Sequence, residues 1–120
     1  MIRANFDNKL KQLHTQIVEM GRYVEAAIES SIKAFKENDL ELCKEIIHND
    51  KIVDDMEKSI ESDCLWLIAR EQPIASDLRK ITSALKVITD MERIGDHASD
   101  IADIVLRISD KNTFSDSAHI

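Results

Sequence analysis

From Phe6 onward the chain sets an apolar or small residue at alternating steps of four and three. The series is Phe6, Leu10, Leu13, Ile17, Met20, Val24, Ala27, Ser31 and Phe35, with Ile28 and Ile32 widening the stripe. A strand would alternate every second residue; this spacing belongs to a helix that buries one narrow face. A stripe this long can be covered only by helices of comparable length, which restricts the chain to a helical bundle. The pattern predicts a first helix over about residues 4–37, and "END" at 37–39 breaks it, with Asp39 placed to cap the next helix.

A second helix is expected from Leu40 to about Arg70, carrying Cys43, Ile46, Val53, Ile60, Cys64 and Leu67 at the same spacing. Gln72-Pro73 ends it, because proline disfavours a helical conformation in the residue before it and suits the first turn of the next helix. The third helix is expected from about Pro73 to Ser109, with Val87, Met91, Ile94, Ala98, Ile101 and Val105 as its apolar face. Residues 110–120 are polar and aperiodic and read as a tail or linker, leaving residues 1–109 as the domain. Two glycines, one proline and 4% aromatic residues argue against a turn-rich sheet. Short connections force neighbouring long helices to run antiparallel. The expected fold is all-α, an antiparallel up-down-up three-helix bundle.

A net charge of −7 makes nucleic acid an unfavourable partner and favours cations or basic protein surfaces. No apolar run reaches the length of about 18 residues that a membrane span needs, and "MIRANFDNKL" lacks the apolar core of a signal peptide. Membrane insertion is not expected, and a cytoplasmic location is. Cys43 and Cys64 stand on one expected helix, about 31 Å apart at 1.5 Å per residue, so they are read as two buried thiols rather than a disulfide.

The charges are organised. Asp50, Asp54, Glu57 and Glu61 fall within about 60° of arc on the second helix, bordering its apolar face; Glu92, Asp96, Asp100 and Asp103 fall within roughly 80° on the third. The third helix's acidic line is expected nearly opposite its apolar centre, beside a basic ridge of Arg79, Lys86 and Arg93. With the turn centred near residues 71–72, Glu57 and Glu61 come within reach of Lys86 and Arg79, while Asp50 and Asp54 come level with 93 and 89, close to Asp90, Glu92 and Asp96. Like charges at i,i+4 cost about 0.2–0.5 kcal/mol per pair. Two readings are open: an ordinary solvated acidic face, or carboxylates from adjacent helices converging on a hard or borderline cation. Glu45 and His48 form a single ExxH, whereas di-iron bundles need that motif on two helices. His97, beside Asp96, is an edge candidate. No Gly-rich phosphate loop and no nucleophile–base pair is present, so no enzymatic activity is expected.

Four segments, "YVEAAIESSIKAF", "DKIVDDMEKSIE", "REQPIASDLRKI" and "LKVITDMERIGDHASDIA", closely resemble the PhoU family over residues 3–106. The resemblance implies one three-helix repeat of proteins built from two, and metal binding through D/E-x-x-x-D pairs on the bundle surface. It further implies a cytoplasmic regulator of phosphate uptake and phosphate-starvation signalling. The implied partners are the ATPase subunit of the phosphate ABC transporter, a sensor histidine kinase and a second copy in a homodimer. Carried over by motif, the metal ligands are Asp50 and Asp54 from the second helix and Glu92 and Asp96 from the third. Asp100 stands where the family often has asparagine, and Glu57 is a further candidate. The implied cofactors are divalent or ferric ions: iron, zinc, manganese or magnesium. Asp77 and Arg79, in "SDLR", match a signature for which an interhelical or partner contact is expected. The alternative function is a structural helical interaction module whose acidic faces are solvated.

Overall fold

The computed structural model describes the backbone of residues 2–119 and the side chains of residues 3–110. The chain forms three helices, α1 (Ile2–Glu37), α2 (Leu40–Glu71) and α3 (Ala75–His119), of 36, 32 and 45 residues. They make a rod of 75 × 18 × 18 Å.

The turns are short because each residue in them serves a helix end. Asn38 takes the left-handed conformation, with φ of 51°, and the Asp39 amide donates back to the Ala34 carbonyl at 3.0 Å, which closes α1. Asp39 then starts α2: its carboxylate accepts from the Leu42 amide at 3.1 Å and its carbonyl from the Cys43 amide at 3.1 Å. Gln72, with φ of 42°, closes α2 in the same left-handed manner. Pro73 lies outside α3 rather than in its first turn. The Ile74 carbonyl accepts the first bond of that helix, from the Leu78 amide at 2.8 Å. The α3 backbone stays helical past Ser109 to His119, since nothing in "DKNTFSDSAH" breaks a helix. The domain boundary expected at 109/110 turns on side chains that lie outside the described residues.

Contacts give the directions. Lys9 reaches Glu71 and Gln16 reaches Asp63, so α1 and α2 are antiparallel. Arg3 reaches Asp77 and Gly21 abuts Met91, so α1 and α3 are parallel. The all-α up-down-up bundle is as expected. All six apolar residues expected in the α2 core are buried.

On α1 the core follows the alternation more strictly than anticipated. Phe6, Leu13, Met20, Val24 and Ser31 are buried, but the next buried residue is Ala34, at 0% exposure, while Phe35 is 63% exposed. A step of three, not four, follows Ser31 in the alternation. The buried Ser31 hydroxyl donates to the Ile28 carbonyl at 2.7 Å, so its own polar atom is not stranded.

The face of α3 is rotated from the one expected. Ala98 and Val105 are buried as expected, but the buried row also holds Ile81, Ala84, Ile88, Gly95 and Ala102, whereas Val87 and Ile94 are exposed and Met91 and Ile101 only half-buried. Small residues line the true interface because the helices approach closely there. A Cβ added at Gly95 would meet Val53 Cγ1 at 3.2 Å.

The α2–α3 register also differs: Val53 lies against Gly95 rather than Asp90. Two causes act together. The turn is centred on Pro73, later than expected. Helical side chains also lean toward their own N-terminus, so on antiparallel helices each touching residue sits about one position C-terminal of its level.

Candidate metal centre

The rotation of α3 places its acidic line beside its buried face instead of opposite it. Glu92 and Asp96 are half-buried and turned toward α2, where Asp50, Asp54 and Glu57 are half-buried in the corresponding position. The basic ridge of Arg79, Lys86 and Arg93 is exposed. Among the described residues no salt bridge joins Glu57 or Glu61 to Arg79 or Lys86, and the expected neutralisation there is not made. Asp90, expected near the cluster, is exposed.

Asp54, Glu92 and Asp96 each offer a carboxylate oxygen, and the three atoms lie within 4.8 Å of one another. Around them the acids form two antiparallel rows. Glu57 acts on Glu92, Asp54 on Glu92, and Asp96 and Asp100 on Asp50. The rungs span about 10 Å, the rise of seven helical residues. All six candidate residues therefore border one ladder, with Asp54, Glu92 and Asp96 at its centre. Asp100 is the most peripheral. Its side chain is exposed and its Oδ2 lies 3.9 Å from His97 Nδ1, on the edge where His97 was a candidate. His48 is exposed, at a position well removed from the α2 acidic stripe.

The electrostatics record the crowding. The Glu92 carboxyl is pushed up to about 7, first by its hydrogen bond with Asp96, then by loss of water, by the Asp96 charge and by a hydrogen bond with Asp54. Loss of water and the charges of Asp96, Asp54 and Asp100 raise Asp50. Loss of water raises Glu57, with Glu61, Asp54 and Asp96 adding to it. A proton retained on Glu92 is one way to relieve three close carboxyls, and a cation is the other. An all-oxygen donor set matches hard cations such as magnesium or manganese, and iron at the borderline. The thiols offer no softer alternative: Cys43 and Cys64 are free and buried in the core, and burial pushes Cys64 up to about 11.

Asp77 has an interhelical role, as one of its two expected roles required. It is buried at the start of α3, where its Oδ2 accepts from Arg3 Nη1 of α1 at 2.7 Å and Lys80 approaches at 3.9 Å. The Arg3 hydrogen bond holds its carboxyl below the usual range. Arg79 is exposed and shares none of this. Trp66 is half-exposed under Lys9, whose Nζ sits 3.7 Å from the ring centroid.

Fold and site together define a class: a helical bundle with a carboxylate ladder between two of its helices. The PhoU domain matches residues 17–105, most of the chain, and the chain belongs to the PhoU family. It is similar to the phosphate-specific transport system accessory protein PhoU homolog of Clostridium acetobutylicum, 42% identical over 110 residues, covering 91% of this chain and 50% of that one. It is 40% identical over 100 residues to the PhoU of Escherichia coli K12, covering 83% of this chain and 42% of that one. The homolog of Borreliella burgdorferi is 38% identical over 116 residues, covering 95% and 52%. The chain thus spans about half the length of the curated relatives it matches.

Proposed function

We propose that this protein is an accessory regulator of phosphate-specific transport, in which cations held on the α2–α3 ladder fix a surface that docks onto other components. The reading extends to this chain the role printed in the names of its relatives. One observation carries the metal part: three half-buried carboxylates from two helices, one oxygen of each within 4.8 Å of the others, and none of the three in a salt bridge among the described residues. Asp54, Glu92 and Asp96 form the inner set; Asp50 and Glu57 flank it, and Asp100 closes the outer rung. A ladder about 10 Å long has room for more than one ion. Bound ions would supply positive charge that cancels the repulsion and ties α2 to α3.

The partners in this reading are the ATPase subunit of the phosphate ABC transporter and the sensor histidine kinase, in the cytoplasm. No described helix is long and apolar enough to cross a membrane, which suits that placement. A homodimer belongs to the same reading, with exposed Phe35, Ile94, Ile104 and Ile108 on α1 and α3 as its apolar surface. The role is non-enzymatic.

The test is elemental analysis of protein purified without chelator, with calorimetric titration of iron, zinc, manganese and magnesium into wild type, Asp54→Asn and Asp96→Ala. The proposal requires saturable binding that either substitution abolishes. Equal heats in all three proteins, with no co-purified metal, would reduce the ladder to a solvated face and the protein to a structural interaction module.

A further inference from the structure

A second site lies between α1 and α2, where small residues of α1 leave the helices unfilled. The cleft has a volume of about 180 Å³. Its floor is apolar and buried, formed by Ile46, Val53 and Gly95. Toward the mouth stand half-buried Tyr23 and Asp50 and exposed Ala26 and Glu45. Glu45 is near enough to Tyr23 to add to the rise that burial imposes on its phenol. None of the described residues that line the cleft is basic, and neither Glu45 nor Asp50 has a salt-bridge partner among the described residues. The cleft thus sets two carboxylates without salt-bridge partners above an apolar floor. It asks for a ligand with a greasy stem and a positive head.

We propose that this cleft is a pocket for an arginine side chain presented by a partner protein. The size fits, since a cavity of roughly 150 Å³ holds a benzene-sized group. The stem would lie on Val53 and Ile46 while the guanidinium reaches Asp50 and Glu45 beside the Tyr23 ring. Guanidinium is more weakly hydrated than ammonium, is planar and stacks on aromatic faces, so it enters such a cleft at lower cost than lysine. A bare metal ion has no use for the apolar floor. A free cation of about seven non-hydrogen atoms binds in the millimolar range at common ligand efficiencies. A useful occupant is therefore an anchor within a larger interface, the position that arginine often takes in protein contacts. The pocket shares Asp50 with the ladder, while Glu45, Tyr23 and the apolar floor belong to the pocket alone, so a test made in chelator reads the pocket apart from any metal.

The experiment is amide NMR on the full chain, with chelator present and salt low, titrating n-propylguanidinium, its neutral isostere n-propylurea, and spermidine. The expected result is saturable movement of the Gly95 and Ala26 amides with propylguanidinium, at a dissociation constant on the order of millimolar. Propylurea should give none. Glu45→Gln should weaken binding by about two- to fivefold, the upper part of the range of an exposed ion pair. Ala26→Leu, at the exposed rim, should remove the saturable shifts with an unchanged melting curve. The proposal is overturned by equal shifts from propylurea, by no saturation in wild type, or by a Glu45→Gln variant that binds as wild type does. Saturation by spermidine at a tenfold lower concentration would also overturn it, in favour of a free polyamine.

Discussion

Replacing Glu92 with glutamine removes one charge from the centre of the ladder and keeps a hydrogen-bonding side chain of the same shape. The consequence depends on pH in a way the structure specifies. Glu92 has a folded-state value of about 7, above its ordinary 4.5. The native state therefore binds its proton more tightly than the unfolded chain does. By linkage, the stability this provides is fully present below about pH 4.5 and falls away as pH rises through about 7. The whole shift corresponds to about 3 kcal/mol at 1.36 kcal/mol per unit, and solvent screening of a half-buried group reduces it to about 1 kcal/mol. Coulomb's law agrees in scale: two unit charges 4.8 Å apart repel by about 0.9 kcal/mol at the dielectric of water, and by more when partly buried.

Thermal unfolding followed by circular dichroism, in chelator, from pH 5 to pH 8 is the assay. Near pH 5 the wild type and Glu92→Gln should melt together. Near pH 8 the variant should melt higher by about 4 °C, the equivalent of about 1 kcal/mol in a domain of this size. On the proposed metal site, adding a divalent ion at about a hundredfold excess over its dissociation constant should stabilise the wild type by about 2.7 kcal/mol. The variant, with one anionic group fewer at the proposed site, should gain less, so the order of the two should reverse. Parallel pH profiles in chelator would refute the claim that Glu92, Asp54 and Asp96 repel one another in the folded chain. A retained difference that no metal reverses would leave the repulsion standing and refute the cation site.

The two glycines make a paired test, because an added Cβ meets its neighbour at 3.2 Å in both cases. At Gly21 that neighbour is the flexible end of Met91, so Gly21→Ala should stabilise by about 0.5–1 kcal/mol in urea titration through helix propensity. At Gly95 it is the stiff, buried Val53, so Gly95→Ala should destabilise by about 1 kcal/mol despite the same propensity gain, and Val53→Ala should remove the clash in a double-mutant cycle. Phe35→Ser should change the stability of the isolated monomer by less than about 0.5 kcal/mol, while Ala34→Leu should cost about 1–3 kcal/mol by overpacking. Asp77→Asn should lower the melting temperature at pH 7 and flatten the loss of stability on acidification. The depressed Asp77 value makes its contribution present above about pH 3.8 and lost as pH falls further.

What the sequence made legible depended on side-chain size. On α2 the positions that face the core carry the cysteines and the larger aliphatic residues, so periodicity located every buried residue. On α3 the core-facing positions carry Ala84, Gly95, Ala98 and Ala102, while Val87 and Ile94 face solvent. Ranking by hydrophobicity selects the wrong flank there, and the same error set the acidic line opposite the core. Gly95 was the one available signal: a glycine in mid-helix costs about 1 kcal/mol against alanine and points to close backbone approach. The acidic positions themselves were legible, because i,i+4 spacing fixes which carboxylates share a face whatever that face touches. Their pairing across helices was not, since it depends on where the turn is centred and on how side chains lean.

The core and the ladder are one arrangement rather than two. Gly95 lies between Glu92 and Asp96 in sequence, and it lets α3 settle against Val53, the residue before Asp54. Any residue at 95 with a side chain holds the two backbones apart by a few tenths of an ångström, which moves Asp96 away from Asp54. A carboxylate set that coordinates a metal tolerates about 0.2 Å of error in its distances. Gly95→Ala should therefore weaken metal binding as well as stability, although it touches no carboxylate. A purely solvated acidic face predicts the stability loss alone, so the variant separates a site built by helix packing from charges that merely lie near one another.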